Sequence, residues 1–253
     1  MNRSNIALAL ILLGLLVVSC SREPRLSAKD VPPKTGHVAF DPASHEAKVL
    51  NLHGCKLRDL KEYDSAMYFF RSALELGRKN QLGMRMAAAL QNMGTVYSDR
   101  AYDFSEYNHD ADLESAAACY DTALRILSDS GKNSQTVSLL TDMAVAYFRD
   151  PKHEKRADKL FQQARQQAQE YGLILDEGTV LYHQAQLHAN QAVDARSLVG
   201  LRSAVLLLDT AVVLLRRADD TQLAGSAEVM AEDMRDFIRD VEAFEKHRKE
   251  GDQ

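Results

Sequence analysis

One pattern of small residues recurs four times along this chain of 253 residues. Each copy carries two alanines seven positions apart, which places both on one face of a helix. A leucine precedes each pair of alanines, and a Gly or Ala follows four positions after this leucine. The distance along the sequence from the second alanine of one copy to this Gly or Ala of the next copy is 21 residues every time. Only side chains this small fit where two helices come closest, so the pattern predicts stacked pairs of helices.

The composition favours the same class. Four of the five prolines fall before residue 43, tryptophan is absent, and aromatic residues make up only 7% of the chain. Such a sequence is poor material for a β-sandwich or a barrel. We therefore expect an all-α fold. The small residues that we expect to pack between its helices are Gly54, Ala66, Ala73, Gly94, Ala116, Ala123, Ala144, Ala157, Ala164, Ala185, Ala204 and Ala211.

These copies resemble the tetratricopeptide repeat (TPR), whose units are two antiparallel helices. The first copy matches its pattern with Leu50, Gly54, Leu57, Ala66, Phe70 and Ala73. The resemblance covers about residues 45–218 and implies an α-solenoid of four long repeats, each about 40 residues. The segment Gln222–Lys249 reads as a capping helix, which completes a predicted domain over residues 44–253. Extra length falls in the turns at residues 101–112 and 192–199.

The sequence also predicts where helices end and whether Cys55 and Cys119 form a disulfide. Gly77, Gly131 and Gly172 follow the second helices of three copies, where we expect glycine to cap a helix C-terminus. Cys55 and Cys119 fall in helices that are not adjacent, so we expect free, largely buried thiols.

The N-terminus carries a predicted export signal. The apolar run Ile6–Val18 is too short for a membrane-spanning helix and is typical of a secretory signal. The tetrapeptide Val17-Val18-Ser19-Cys20 resembles the lipobox of bacterial lipoproteins. The resemblance implies that residues 1–19 are removed and that Cys20 is acylated. An ordinary signal peptide or a short anchor helix is the alternative.

The residues after the signal give the expected location. Residues 20–43 are proline-rich and polar, which is typical of a tether. Residue 21 is Ser, not Asp, and by resemblance to enterobacterial sorting this favours the outer membrane, facing the periplasm. In a Gram-positive host the same signal implies the outer face of the only membrane.

Few residues suggest chemistry. The chain contains no HExxH, P-loop, GxGxxG or GxSxG motif. His183 and His188 are five apart and do not face one metal ion. Asn108–Glu114 resembles the start of a calcium loop but lacks the central glycine and the distal glutamate. We expect no enzyme, metal or cofactor. With acidic and basic residues interleaved and a net charge of -5, we also expect no nucleic-acid partner.

The resemblance also implies where a partner binds. In TPR solenoids the first helix of each pair lines a groove, and the matching polar positions suit a peptide backbone because amides both donate and accept hydrogen bonds. The candidate groove residues are Asn51, Arg58, Gln91, Asn92, Asp142, Arg149, Tyr182, His183, Gln186 and Asn190. We expect a scaffold for envelope proteins or peptides. The alternative functions are a ligand- or peptide-sensing solenoid and self-association. The alternative binding surfaces are the inserted turns at residues 101–112 and 192–199.

Overall fold

The computed structural model describes residues 41–103, 109–128, 134–149 and 151–251. All regular secondary structure in these residues is helical, in nine α-helices and one short 3-10 turn, Pro151–His153. The helices are α1 (Pro42–Asp59), α2 (Tyr63–Lys79), α3 (Gly83–Asp103), α4 (His109–Ser128), α5 (Ser134–Phe148), α6 (Glu154–Tyr171), α7 (Ile174–Asp194), α8 (Leu198–Arg217) and α9 (Thr221–Gly251). The predicted signal peptide and almost all of the tether lie outside the described residues, as do residues 104–108 of the first predicted insertion.

The helices form two compact units. The N-terminal unit ends at Gln167 and the C-terminal unit begins at Ala168, within α6. In the N-terminal unit α1 to α4 each pack against the next helix along the chain, and α3 also contacts both α1 and α5. In the C-terminal unit α7 packs on α8 and α8 on α9. The all-α class is confirmed, and in each unit consecutive helices pack against each other as in an α-solenoid.

The predicted small residues lie in the interior. Every one of the eight alanines that form pairs seven apart is at most 1% exposed. Ala144 and Ala185 are fully buried, and Gly54 and Gly94 are buried as well. A β-carbon built on Gly54 would lie 2.5 Å from the ring of Phe70 in α2, so glycine is what permits this approach.

Five turns between helices share one hydrogen-bond pattern. A residue with positive φ follows each helix, and the N–H of the next residue donates to the carbonyl five residues earlier, at 2.7–2.9 Å. This is the Schellman motif. The residues with positive φ are Lys61, Gln81, Gly172, Arg196 and Asp219.

The glycine caps were predicted correctly only in part. Gly172, at φ +67°, ends α6 as predicted. The prediction for Gly77 was wrong, because Gly77 lies inside α2, where a β-carbon would lie 2.9 Å from Cγ of Met86 in α3. Its small size serves helix packing, and Gln81 takes the left-handed conformation in that turn. Gly131 lies outside the described residues.

Helix α8 is unusually apolar, and one of its faces lies in the core of the C-terminal unit. By length and composition alone α8 is able to cross a membrane. Its residues Leu201, Leu208 and Leu215 are nonetheless buried in one core with Met234 and Ile238 of α9. Burial between neighbouring helices therefore accounts for one apolar face of α8, while Val199, Leu206 and Val213 on the same helix are exposed. The predicted capping helix is α9, which begins one residue before Gln222 and packs on α8.

Neither cysteine of the described residues forms a disulfide. Cys55 in α1 is buried, and Cys119 in α4 is partly exposed. Burial raises the pKa of the Cys119 thiol to about 11, which keeps the sulfur protonated and poorly reactive at neutral pH.

Candidate partner-binding groove

Helices α1, α3 and α5 bring polar side chains together on one side of the N-terminal unit. In each helix two of these residues lie seven positions apart, about two helical turns, so each helix presents them on one face. We call this group the polar cluster. Its members are Asn51 and Arg58 of α1, Gln91, Asn92 and Asp99 of α3, and Asp142 and Arg149, which lie on or just after α5.

Amide side chains of α3 link the cluster to both neighbouring helices. The side chain of Asn92 donates from Nδ2 to Oδ1 of Asn51 in α1, at 3.4 Å. Gln91 donates from Nε2 to Oδ2 of Asp142 at 2.7 Å and to Oγ of Ser138 at 3.0 Å, both in α5. An amide nitrogen carries two hydrogens, so Gln91 uses both of them to hold α5.

The arginines of the cluster converge on one carboxylate. Asp99 lies 3.3 Å from Nη1 of Arg149 and 3.8 Å from Nε of Arg58. Arg58 also pairs with its neighbour Asp59 at 3.1 Å. Burial raises the pKa of Asp99, and the two arginines counter that rise only in part. Asp99 of α3 therefore pairs with one arginine from α1 and one from the end of α5.

The predicted groove residues of this unit differ in exposure. Asn51, Arg58, Gln91 and Asn92 are between 4% and 8% exposed. Asn51 and Asn92 bond to each other, whereas Gln91 bonds to Asp142 and Ser138. Arg58 pairs with Asp59 and Asp99, so these bonds together join α1, α3 and α5. Asp142 and Arg149 are partly exposed. The sequence pattern could not separate these two groups, because interior and surface polar positions alternate within the same helical period.

One face of α5 remains open beside the cluster. Residues at intervals of three and four positions along this face are all partly exposed. We call them the α5 row, and they are Gln135, Ser138, Asp142, Val145 and Arg149. Tyr102 of α3 borders the row. Its hydroxyl donates to the carbonyl oxygen of Ala146 at 3.4 Å, and the guanidinium of Arg149 lies 5.4 Å from the centre of its ring.

Asp142 is electrostatically distinct within the row. Among the described residues, Gln91 is its hydrogen-bond donor, and no Arg, Lys or His nitrogen lies within ion-pair distance of its carboxylate. Burial raises the pKa of Asp142 to about 6, although the bond from Gln91 and the charge of Arg58 act against the rise. The nearby charge of Asp99 adds to it.

Sequence reasoning missed several residues of this site. Asp99, Ser138 and Val145 were not among the candidate groove residues, and Tyr102 was predicted only as part of the inserted turn at residues 101–112. Asp99 occupies, in the second copy, the repeat position that Arg149 occupies in the third, so the register already contained its signal. The roles of Val145 and Tyr102 depend on contacts between helices, which the repeat pattern does not encode.

The remaining candidates lie in α7, in the C-terminal unit. Tyr182 and Gln186 are each 6% exposed, while His183 and Asn190 are partly exposed. His183 donates from Nδ1 to Oε1 of Gln186 at 3.1 Å, and its ring meets that of Tyr182 edge to face at 5.2 Å. Burial raises the pKa of Tyr182, and its hydrogen bond with Gln186 lowers it in part. These residues form a small polar group of their own.

An open cleft lies at the turn between α7 and α8. It has a volume of about 320 Å³. Its wall includes His188, Gln191, Ser197 and Ser203, with Gly200 at the start of α8. The cleft is shallow and has polar and apolar walls, and it overlaps the second predicted insertion at residues 192–199.

No metal site was found in the described part of the chain, where no three His, Cys, Asp or Glu side chains gather closely enough to hold an ion. Asp112 belongs to the segment Asn108–Glu114, which resembles the start of a calcium loop. Its Oδ1 lies 3.0 Å from Nη2 of Arg100, with which it forms an ion pair.

No protein-family model matches this chain, and no curated protein matches it in sequence.

Proposed function

We propose that this protein is a lipid-anchored TPR lipoprotein of the bacterial envelope, facing the periplasm from the outer membrane, and that it holds protein partners without catalysis. The α5 row carries the proposal, because it is a polar, partly exposed helix face held in place by a buried network. A fixed face of this kind loses little conformational entropy when a partner binds.

The repeat assignment draws support from two equivalent contacts. Gly54 faces the ring of Phe70, and Gly94 faces the ring of Tyr120, with β-carbon positions 2.5 Å and 2.6 Å from the ring atoms. Both pairs join the same two positions of successive copies. The same close contact in two copies is what a structural repeat requires.

The anchor is tested by Cys20→Ala. Without the thiol no acyl chain is attached, and a folded body should leave the membrane fraction. Alkaline washing of membranes followed by immunoblotting measures this. Retention of the variant in the washed membranes would contradict the lipoprotein assignment.

The groove is tested by in-cell crosslinking and pull-down with the full chain. Val145→Arg places a long cation in the α5 row, and Val229→Arg makes the same change at an exposed position of α9. We expect the wild type and the Val229 variant to capture the same envelope protein and the Val145 variant to lose it. Equal capture by all three contradicts a groove on α5.

Ligand sensing is the second candidate, and the cleft between α7 and α8 favours it. A small ligand bound there at millimolar concentration raises the melting temperature, because it binds only the folded state. A protein scaffold responds to protein and not to small compounds. A thermal-shift screen with short peptides distinguishes the two.

A further inference from the structure

We propose that Asp142 supplies the negative charge that binds a cationic side chain, Lys or Arg, of a peptide segment lying along the α5 row. The inference rests on the proposed function, since it assigns a chemistry to the same groove. It begins from the position of Asp142 at the centre of the row, with Ser138 on one side and Val145 on the other.

The hydrogen bond from Gln91 holds this carboxylate in place. The amide of Gln91 is buried and bonds to both Asp142 and Ser138, so it fixes one carboxylate oxygen, Oδ2. Within the described part of the chain no other hydrogen bond reaches Asp142. Its second oxygen, Oδ1, therefore has capacity for a donor from outside.

The charges around Asp142 leave it uncompensated. Arg58 on α1 pairs with Asp99 and Asp59, and Arg149 at the end of α5 pairs with Asp99 on α3. The negative charge of Asp142 contributes to the rise in the pKa of Tyr120 on α4. These arginines thus pair with Asp99 and Asp59, and the charge of Arg58 offsets that of Asp142 only in part, from beyond ion-pair distance.

A desolvated carboxylate without a cation destabilises the folded chain. Asparagine at position 142 is nearly isosteric with aspartate. It would keep the hydrogen bond from Gln91 without the cost of burying a charge. Residues that lower stability in a fixed, accessible position are candidates for binding. The missing cation is the natural complement, whereas a carboxylate or phosphate would be repelled.

The lysine side chain fits the neighbouring residues. Its aliphatic stem packs against an apolar side chain while the ammonium group stays polar. Val145 provides an aliphatic surface one turn from Asp142, and the Ser138 hydroxyl provides an acceptor on the other side. An ammonium group at Asp142 therefore meets two oxygen acceptors and one apolar surface.

The test follows the titration of Asp142 itself. The full chain, labelled with ¹³C-aspartate and purified in mild detergent, is titrated by NMR with acetyl-Gly-Gly-Lys-Gly-Gly-amide or with its norleucine analogue. We expect the lysine peptide to lower the titration midpoint by at least half a pH unit and the norleucine peptide to leave it unchanged. An unchanged midpoint at 100 mM lysine peptide, or an equal shift by both peptides, overturns the proposal.

Variants separate this inference from the scaffold function. Asp142→Asn should weaken binding of the lysine peptide at least fivefold, whereas Asp233→Asn, at an exposed position of α9, should not. Equal binding by Asp142→Asn overturns the inference. In the envelope pull-down, equal capture by Asp142→Asn also overturns it while leaving the scaffold function intact. If the wild type captures no envelope protein but the lysine peptide lowers the midpoint, the cation site stands and the scaffold function fails.

Discussion

The ring of Tyr120 lies 2.6 Å from the place that a β-carbon on Gly94 would occupy. Tyr120 is 1% exposed, and its hydroxyl donates to Oγ1 of Thr95 at 3.3 Å, so the ring has no room to retreat. The closeness of α3 and α4 therefore depends on the missing side chain of Gly94. The same relationship between Gly54 and Phe70 joins α1 and α2.

Gly94→Ala should destabilise the fold. We expect the free energy of unfolding to fall by about 1–3 kcal/mol, because overpacking outweighs the higher helix propensity of alanine. Gly225→Ala in α9 is the matched control, since no atom lies within 4 Å of its added β-carbon. That change should stabilise the protein by about 0.5–1 kcal/mol. Urea denaturation measures both, and an unchanged midpoint for Gly94→Ala contradicts the close contact.

Asp142 should make stability depend on pH in a definite direction. Its folded pKa of about 6 lies above the ordinary value of about 3.9, so between these values the folded state holds more protons than the unfolded state. The contribution of this group to the free energy of unfolding therefore falls as pH rises from about 4 to about 6.

Asp142→Asn should remove this dependence. At pH 7.5 we expect the variant to be more stable than the wild type by about 1–3 kcal/mol, with the difference vanishing near pH 4. Denaturation of both proteins across this range measures the difference. A variant that is less stable than the wild type at pH 7.5 contradicts an uncompensated carboxylate. Asp233→Asn should show no such change with pH.

Three ion pairs follow one register between α8 and α9. The paired residues are seven apart on both helices, and the signs of charge alternate along each helix. The pairs are Arg202 with Glu242, Asp209 with Arg235 and Arg216 with Glu228. This spacing resembles the flanking pairs of an antiparallel coiled coil, which select alignment more than they add stability.

Asp209→Arg should disturb this register modestly. It places two arginines opposite each other, and we expect a loss of about 0.5–1 kcal/mol because both side chains are exposed. Adding Arg235→Asp should restore most of the loss, and 1 M salt should reduce it. Thr210→Arg adds the same side chain at an exposed neighbour as a control. If the reversed pair fails to recover stability, the ion pair does not operate across these helices.

Tyr63 ties the start of α2 to the end of α3. Its hydroxyl donates to Oδ2 of Asp103 at 2.5 Å, and Lys61 lies 2.9 Å from the same oxygen. Burial acts to raise the pKa of Asp103, but the bonds from Tyr63 and Lys61 hold it below its ordinary value.

Tyr63→Phe should lower the free energy of unfolding by about 1–3 kcal/mol, because a charged acceptor loses its donor. Tyr68→Phe removes a hydroxyl from the same helix at a side chain that is 68% exposed, and it should have almost no effect. Thermal denaturation compares the two. Equal melting temperatures for both variants contradict the importance of the Tyr63 bond.

The sequence predicted the helix pairs because small residues at fixed spacing are needed wherever helices approach closely. It predicted Gly172 correctly because the turn after α6 uses a glycine in the left-handed conformation. It failed at Gly77 because packing and capping both select glycine, and only the neighbour Met86 distinguishes them. Elsewhere Lys61 and Gln81 adopt positive φ, and neither residue type indicates this in a sequence.

The candidate site was predicted less completely. The repeat register placed Asn92 and Asp142 on the same side, and both belong to the polar cluster. It did not show that Asn92 is buried against Asn51 while Asp142 remains partly exposed. Exposure depends on how closely α1, α3 and α5 approach each other, which is a property of three helices together and not of any one repeat.

The proposed function requires that the α5 row bind an envelope partner. A photo-crosslinking amino acid placed at Val145 of the full chain, with the same residue placed at Val229 as the control, tests it most directly in living cells. We expect a discrete crosslinked product with one envelope protein from position 145 and none from position 229. The same products from both positions would contradict this function. So would the absence of any product from position 145.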